Sequence, residues 1–137
     1  MKQTDTQIIE ILGRNWLVNS LFGAGIEVAR PERDKGIDLI AYAIDGDLFR
    51  AVPIQVKAAS ERAFSVDRKY DRFANLLIVY VWNLQAQIAT EAYAMTYPEV
   101  VEVVKHMGWV WDGQSRYSTS NPARKLVALL EPYRMTP

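Results

Sequence analysis

The sequence predicts an α/β or α+β fold in which helices flank a mixed β-sheet. Two apolar runs, 37–44 and 48–56, flank the turn Asp45-Gly46-Asp47, which is the pattern of a β-hairpin. Residues 76–82 form an almost continuous apolar run, and such a run predicts a strand buried on both faces of a parallel or mixed sheet. Helical patterns precede and follow these strands.

The first half of the chain is expected to alternate helix and strand. Residues 4–22 predict a helix, which Thr4 or Asp5 can cap. Residues 26–30 predict a short strand before the hairpin, and Pro53 in the second hairpin strand predicts an edge position or a bulge. The polar stretch 58–75 predicts a loop and a short helix. The apolar stripe of the first helix is predicted to comprise Ile8, Ile11, Leu12, Val18, Leu21 and Phe22.

The second half of the chain contains two sequence signals for the beginning of a helix. Residues 87–95 suit another strand, and Thr96-Tyr97-Pro98-Glu99 then carries a capping box for a helix that runs to about His106. Asn121 is expected to cap a final helix, with Pro122 at its first position.

Composition limits the functional classes. The chain has 137 residues, enough for one domain with a real core, and has no cysteine, which excludes disulfides and thiolate metal sites. No apolar run is long enough to span a bilayer and no secretory signal is recognisable, so we expect a cytoplasmic protein. Sixteen basic residues balance sixteen acidic ones, which counts against nucleic-acid binding unless the charges segregate by face.

A polar cluster is predicted at one end of the hairpin. Asp38 interrupts the start of the first strand, and Gln55 and Lys57 lie near the end of the second. Residues two apart on a strand project from the same face, so Gln55 and Lys57 point the same way. Because the start of one hairpin strand lies beside the end of the other, Asp38 is expected close to both.

These side chains have the chemistry of a site for a hard cation. Asp38 and Gln55 offer oxygen ligands, and with the backbone carbonyl of Val56 they suit Mg²⁺. Lys57 can help to deprotonate the attacking water and stabilise charge on a phosphate. Glu10 adds a carboxylate if the first helix packs across this end of the sheet, although a surface ion pair with Arg14 is the simpler interpretation of Glu10.

The order of these motifs resembles the PD-(D/E)XK nuclease superfamily. The chain has a glutamate on its first helix (Glu10), Gly-Ile-Asp on one strand (ending at Asp38) and Gln-Val-Lys (55–57) on the paired strand. The glutamine variant looks most like the intron-associated homing endonucleases of that superfamily. The resemblance covers residues 4 to 82. It implies a restriction-endonuclease-like core of helix, three strands, helix and strand.

The resemblance implies a role for each residue. Asp38 is expected to be the central metal ligand, Lys57 the catalytic lysine, and Glu10 the helix glutamate. Gln55 occupies the slot usually held by an acidic residue, and a neutral amide is a weaker Mg²⁺ ligand than a carboxylate. The proline of the family name is replaced by Ile37. One domain is expected over residues 1–137, with a core at about 4–95 and a C-terminal helical elaboration at 96–137.

The leading hypothesis is therefore a Mg²⁺-dependent endonuclease acting on double-stranded DNA, with Mn²⁺ as a possible substitute. Cutting both strands is simplest with two symmetric copies, so a dimer or higher assembly is expected. Two alternatives remain: an inactive nuclease-like module that binds nucleic acid or protein, and an oligomerisation module whose Trp and Tyr side chains form an interface. The candidate DNA contacts, which also fit an ordinary solvated face, are Arg62, Arg68, Lys69 and Arg72.

Overall fold

The computed structural model describes residues 5–33, 35–109 and 115–136. Helices and strands follow one another along these residues in the order α1 Thr6–Gly23, β1 Glu27–Ala29, β2 Leu39–Asp45, β3 Leu48–Ala58, β4 Phe64–Asp67, a 3-10 helix Arg68–Arg72, β5 Leu77–Trp82, β6 Glu91–Thr96, α2 Tyr97–His106, β7 Arg116–Thr119, α3 Arg124–Leu130 and a 3-10 helix Glu131–Tyr133.

The main sheet is mixed and has five strands in the order β1-β2-β3-β5-β6. Only the β3–β5 pairing among these is parallel, and the others are antiparallel. The α/β (α+β) class with a mixed sheet flanked by helices is thereby confirmed. β5 lies between β3 and β6 and is almost wholly buried, as its unbroken apolar sequence predicted.

The pleat of β5 divides the core into two layers. Ile78, Tyr80 and Trp82 face the layer that also contains α2 and α3. Val79 and Val81 face the other layer, where Leu17 of α1 packs on them. Successive strand residues point to opposite faces, so one apolar run serves both layers. The same alternation in β3 sends Ile54 toward α1 and leaves Gln55 and Lys57 on the opposite face.

The hairpin forms as predicted. Asp45 pairs with Leu48 across the Gly46-Asp47 turn, and Gly46 has a φ of 61°, which glycine adopts at little cost. Pro53 was expected at a sheet edge, and this holds for its part of the strand only. β3 is an interior strand, but its register with β5 begins at Ile54, one residue after Pro53. The preceding part of β3 pairs with β2 alone in the described sheet.

The predicted apolar stripe of α1 was only partly right: Val18 and Leu21 pack against the core, but the other four predicted members are exposed. The buried positions are Ile9, Gly13 and Leu17, spaced four residues apart. Ile8, Ile11, Leu12 and Phe22 are exposed, by 46, 45, 37 and 54 % respectively. The buried line passes through a glycine, which allows the helix to approach the sheet closely but removes the apolar signal from its centre. Asp5 caps the helix by accepting from the amides of Gln7 and Ile8, while Thr4 lies outside the described residues.

Two short strands were not predicted. β4 and β7 form a separate two-stranded antiparallel sheet, in which Asp67 lies opposite Arg116. The stretch 58–75 therefore contains a strand as well as the expected short helix. The capping box of α2 is present as predicted, but α3 begins later than expected, with Ala123 at its N-cap and no side-chain cap. Asn121 and Pro122 precede that helix.

Candidate active site

A cavity of about 420 Å³ lies at the end of the hairpin. The structure brings all the residues of the predicted cluster to this cavity: Glu10, Asp38, Gln55, Val56 and Lys57. Three further groups line it that sequence reasoning missed: Arg14, Arg116 and the hydroxyl-bearing residues Ser65, Ser118, Thr119 and Ser120.

Asp38 is fixed to β3 by its backbone and its side chain. Its amide donates to the Ile54 carbonyl at 2.8 Å, and its Oδ2 accepts from the Val56 amide at 2.7 Å. The carboxylate is therefore held against the strand that carries Gln55 and Lys57. Because the donor is the backbone amide of Val56, this contact fixes the Asp38 carboxylate whatever non-proline side chain position 56 carries.

Close packing of α1 on β3 brings the helix side chains to the cavity. A Cβ on Gly13 would lie 2.5 Å from the Ala58 Cβ, so only glycine permits the observed approach. Glu10 and Arg14 are the helix residues that line the cavity beside this contact. The ion pair expected between Glu10 and Arg14 does not form in the described residues. That expectation rested on helical spacing alone, and the structure instead leaves Glu10 exposed and buries the Nε of Arg14.

The environment of Lys57 makes its ammonium easier to deprotonate. Burial lowers the pKa of Lys57, and the neighbouring guanidinium of Arg116 lowers this pKa further. The carboxylates of Asp67 and Asp38 act in the opposite direction. The ammonium also lies 5.0 Å from the centroid of the Tyr70 ring. A larger fraction of this lysine is neutral at a given pH than of a lysine in water, which is the condition for accepting a proton.

The small β4–β7 sheet forms the opposite wall. The Tyr80 hydroxyl donates to the Ser65 carbonyl at 2.7 Å and so fastens β4 to β5. Burial raises the pKa of Tyr80 well above its usual value, which keeps this hydroxyl protonated as a donor. From β7 and the residue after it come Arg116, Ser118, Thr119 and Ser120. The alternation of buried Phe64 and Val66 was the available sequence signal for β4, but it spans only four residues.

Two buried polar atoms in this cavity have no hydrogen-bond partner among the described residues: the Arg14 Nε and the Gln55 Oε1. Such atoms are rare in folded proteins, because a buried polar group without a partner costs about 1–3 kcal/mol. One is a donor and the other an acceptor. A ligand that restores both partners must therefore carry an acceptor oxygen and also a donor or a cation.

The oxygen ligands available in the cavity suit a hard cation, but only two of the three side chains carry a negative charge. Glu10, Asp38 and Gln55 supply only oxygen atoms, which Mg²⁺ and Mn²⁺ accept. Within the described residues no group of three or more His, Cys, Asp or Glu residues is placed to hold a metal. The site thus has two carboxylates and an amide, and the buried Gln55 Oε1 without a partner is the specific feature that suits a metal ligand.

The four cations predicted to contact DNA are in two environments. Arg62 donates twice to Glu91, at 2.8 and 2.9 Å, and lies away from the cavity. Arg68, Lys69 and Arg72 are exposed on the 3-10 helix whose Tyr70 ring contacts Lys57. Lys69 shares that ring, with its Nζ 5.3 Å from the centroid. Three of the four therefore belong to the element beside the site.

The alternative hypothesis of an aromatic interface involves Trp and Tyr side chains near the C-terminal end of the chain. Trp109 and Tyr117 pack edge to face at 5.7 Å and lie against the core, while Trp111 lies outside the described residues. The two described rings thus contribute to the core.

A scan against protein-family models and a search of curated proteins each found no match to this chain. Among the described helices, none is both long and apolar enough to cross a membrane.

Proposed function

We propose that this protein is a metal-dependent DNA endonuclease that hydrolyses phosphodiester bonds. The observation that carries the proposal is the buried Gln55 Oε1, which has no partner among the described residues and lies in one cavity with Asp38, Lys57 and Glu10. Neighbouring carboxylates, an amide oxygen and a lysine of lowered pKa suit hydrolysis of a phosphate ester.

Each residue has a defined part in the proposed reaction. Asp38, Gln55 and Glu10, with the carbonyl of Val56, would hold Mg²⁺ or Mn²⁺. The bound ion supplies Lewis-acid stabilisation of the negative charge that develops on the phosphate oxygens. Neutral Lys57 takes a proton from the attacking water, whose oxygen forms a new bond to phosphorus. The bond from phosphorus to the leaving sugar oxygen breaks, and that oxygen takes a proton from solvent.

The decisive experiment is cleavage of supercoiled plasmid DNA with MgCl₂ or MnCl₂ by Lys57→Ala. We expect cleavage to disappear while the circular dichroism spectrum stays that of the folded protein. Lys105→Ala is the matched control, because Lys105 is exposed on α2 and does not line the cavity. Undiminished cleavage by Lys57→Ala overturns the proposal.

A nuclease-like binding module without catalysis is the second candidate, and the neutral amide at position 55 favours it. One carboxylate fewer lowers the attraction for a divalent cation. This candidate predicts DNA binding with no cleavage in Mg²⁺ or Mn²⁺. Calorimetric titration of either ion into the wild type and into Asp38→Asn separates the candidates, since only the endonuclease requires an ion whose binding depends on Asp38.

We further propose a second copy of the chain as a partner, since a duplex has two strands to cut. The hairpin tip is the described surface that fits. Among the described strands, the half of β3 next to the turn pairs with β2 alone. The exposed fractions of the apolar residues here are 70, 56, 64 and 38 % for Ile44, Leu48, Phe49 and Val52. Antiparallel pairing centred between Leu48 and Phe49 sets Asp47 opposite Arg50 of the second copy, so the edge is complementary to itself. The proposed enzyme acts in the cytoplasm.

A further inference from the structure

The cavity contains an arginine that the proposed hydrolysis does not use. Arg14 is half-buried on α1, its Nε is buried, and that atom has no hydrogen-bond partner among the described residues. Its nearest candidate counter-ion along the helix, Glu10, forms no ion pair with it. Burying a guanidinium nitrogen without an acceptor is unfavourable, so the position is explained best by an acceptor that arrives with a ligand.

A second arginine approaches the same space from the other wall. Arg116 of β7 lines the cavity and lies opposite Asp67 in the β4–β7 register. No ion pair joins these two residues in the described part of the chain. Asp67 uses its carboxylate to accept from the Lys69 amide at 2.9 Å, as the cap of the 3-10 helix. Hydroxyl-bearing residues follow Arg116 along the same wall, and hydroxyls donate readily to anionic oxygens.

The charges inside the cavity suit an anion. Arg14 and Arg116 contribute two guanidinium cations, which balance the carboxylates of Glu10 and Asp38 among the described lining residues. Lys57 adds a positive charge in its protonated form, and in that form the cavity is locally more positive than the chain as a whole, which is neutral. A guanidinium presents its donors in a planar fork that matches two oxygens of a phosphate group.

We propose that Arg14 and Arg116 form a phosphate-binding subsite that grips the DNA backbone across the cavity. This subsite rests on the proposed function for the identity of its ligand, because the phosphate belongs to the strand that is cut. It does not depend on a metal ion or on Lys57 as a base. The Arg14 guanidinium donates to one phosphate oxygen through its buried Nε, and Arg116 binds from the β7 wall.

The test is metal-free binding of a fluorescent duplex DNA, measured by anisotropy in EDTA over a range of salt concentrations. Replacing a phosphate contact should lower the salt slope by about 1 and the affinity about tenfold at low salt. We expect this loss for Arg14→Gln and for Arg116→Gln. Arg124→Gln is the matched control, since Arg124 is exposed on α3 and does not line the cavity. Equal slopes for the wild type and both cavity variants overturn the inference, as does an equal loss in Arg124→Gln.

Two additions make the result specific. Arg116 is exposed, so Arg116→Gln keeps the test valid if Arg14→Gln unfolds. Inorganic phosphate is the second probe: if its stabilisation of the protein in thermal melts requires Arg14 but duplex binding does not, the ligand is a free phosphate and the assignment to DNA is wrong. Plasmid cleavage by Lys57→Ala is scored separately. Undiminished cleavage there overturns only the proposed chemistry, whereas unchanged metal-free binding by the arginine variants overturns only the subsite.

Discussion

Replacing Gly13 with alanine tests the contact that sets α1 against the site. The new Cβ would lie 2.5 Å from the Ala58 Cβ, and ordinary contacts begin at 3.4 Å, so the helix must retreat from β3 by about 0.9 Å. Overpacking of this kind costs about 1–3 kcal/mol, and alanine returns about 1 kcal/mol through its better helix propensity. We therefore expect the free energy of unfolding to fall by roughly 1 kcal/mol.

Denaturant unfolding of four proteins measures this contact: the wild type, Gly13→Ala, Ala58→Gly and the double variant. Removing the Ala58 Cβ leaves room for the new methyl group, so we expect a favourable coupling of about 1–3 kcal/mol in the double-mutant cycle. Gly23→Ala is the matched control. A Cβ there meets nothing within 4 Å, and the substitution should be neutral or stabilise the fold by up to about 1 kcal/mol.

The same variant tests the proposed catalytic arrangement. α1 carries Glu10 and Arg14, whereas β3 carries Gln55 and Lys57, so a retreat of the helix separates the two sets. A misplacement of about 1 Å can lower a reaction rate on the order of a hundredfold. We expect metal-dependent cleavage to fall by that order in Gly13→Ala and to recover in the double variant. A coupling within about 0.5 kcal/mol of zero, or a Gly13→Ala protein as stable as Gly23→Ala, refutes the packing argument.

Three further predictions concern stability and assembly. Hydrogen bonds from Arg62 lower the pKa of Glu91 below 4.5, so this carboxylate stabilises the fold above pH 4.5 and the effect is lost as pH falls through the folded-state pKa. Glu91→Gln should thus lower the free energy of unfolding by about 1–3 kcal/mol at pH 7, and by much less in acid, in thermal or denaturant unfolding. An equal loss at both pH values contradicts this. Thr96→Ala should cost about 1 kcal/mol through the lost cap of α2, and Asn121→Ala almost nothing, so equal losses would be inconsistent with the observed caps. In sedimentation, Phe49→Asp should convert a dimer to a monomer whereas Ile88→Asp, also at an exposed apolar residue, should not; a dimer that survives Phe49→Asp rules out the hairpin interface.

Local signals predicted the elements that local chemistry determines. The capping box at Thr96 and Glu99 is a short-range hydrogen-bond pattern, and α2 begins where that pattern requires. The Gly46 turn fixes the register of β2 with β3, and this register brings Asp38 to the end of β3. The placement of Asp38 beside Gln55 and Lys57 was therefore readable from spacing alone.

Elements that depend on distant partners were missed. β4 and β7 have four residues each and pair across almost fifty residues of chain, so neither contains enough of a periodic pattern to be recognised. Arg116 entered the cavity only through that pairing. The buried face of α1 was missed for a different reason: its central residue is Gly13, which has no apolar side chain to count. Arg14 was consequently assigned to a surface ion pair.

The arginines on the two walls of the cavity suggest why position 55 carries a neutral amide and not a carboxylate. A glutamate there would place a negative charge in the same cavity as the guanidinium groups of Arg14 and Arg116. Those cations would then be attracted to a group of the protein and less to a phosphate, although a divalent cation would bind more tightly. Gln55→Glu should accordingly strengthen Mg²⁺ binding in calorimetry and weaken metal-free DNA binding in anisotropy. If both affinities change in the same direction, the cations and the oxygen ligands of this cavity are not coupled through charge, and the amide needs another explanation.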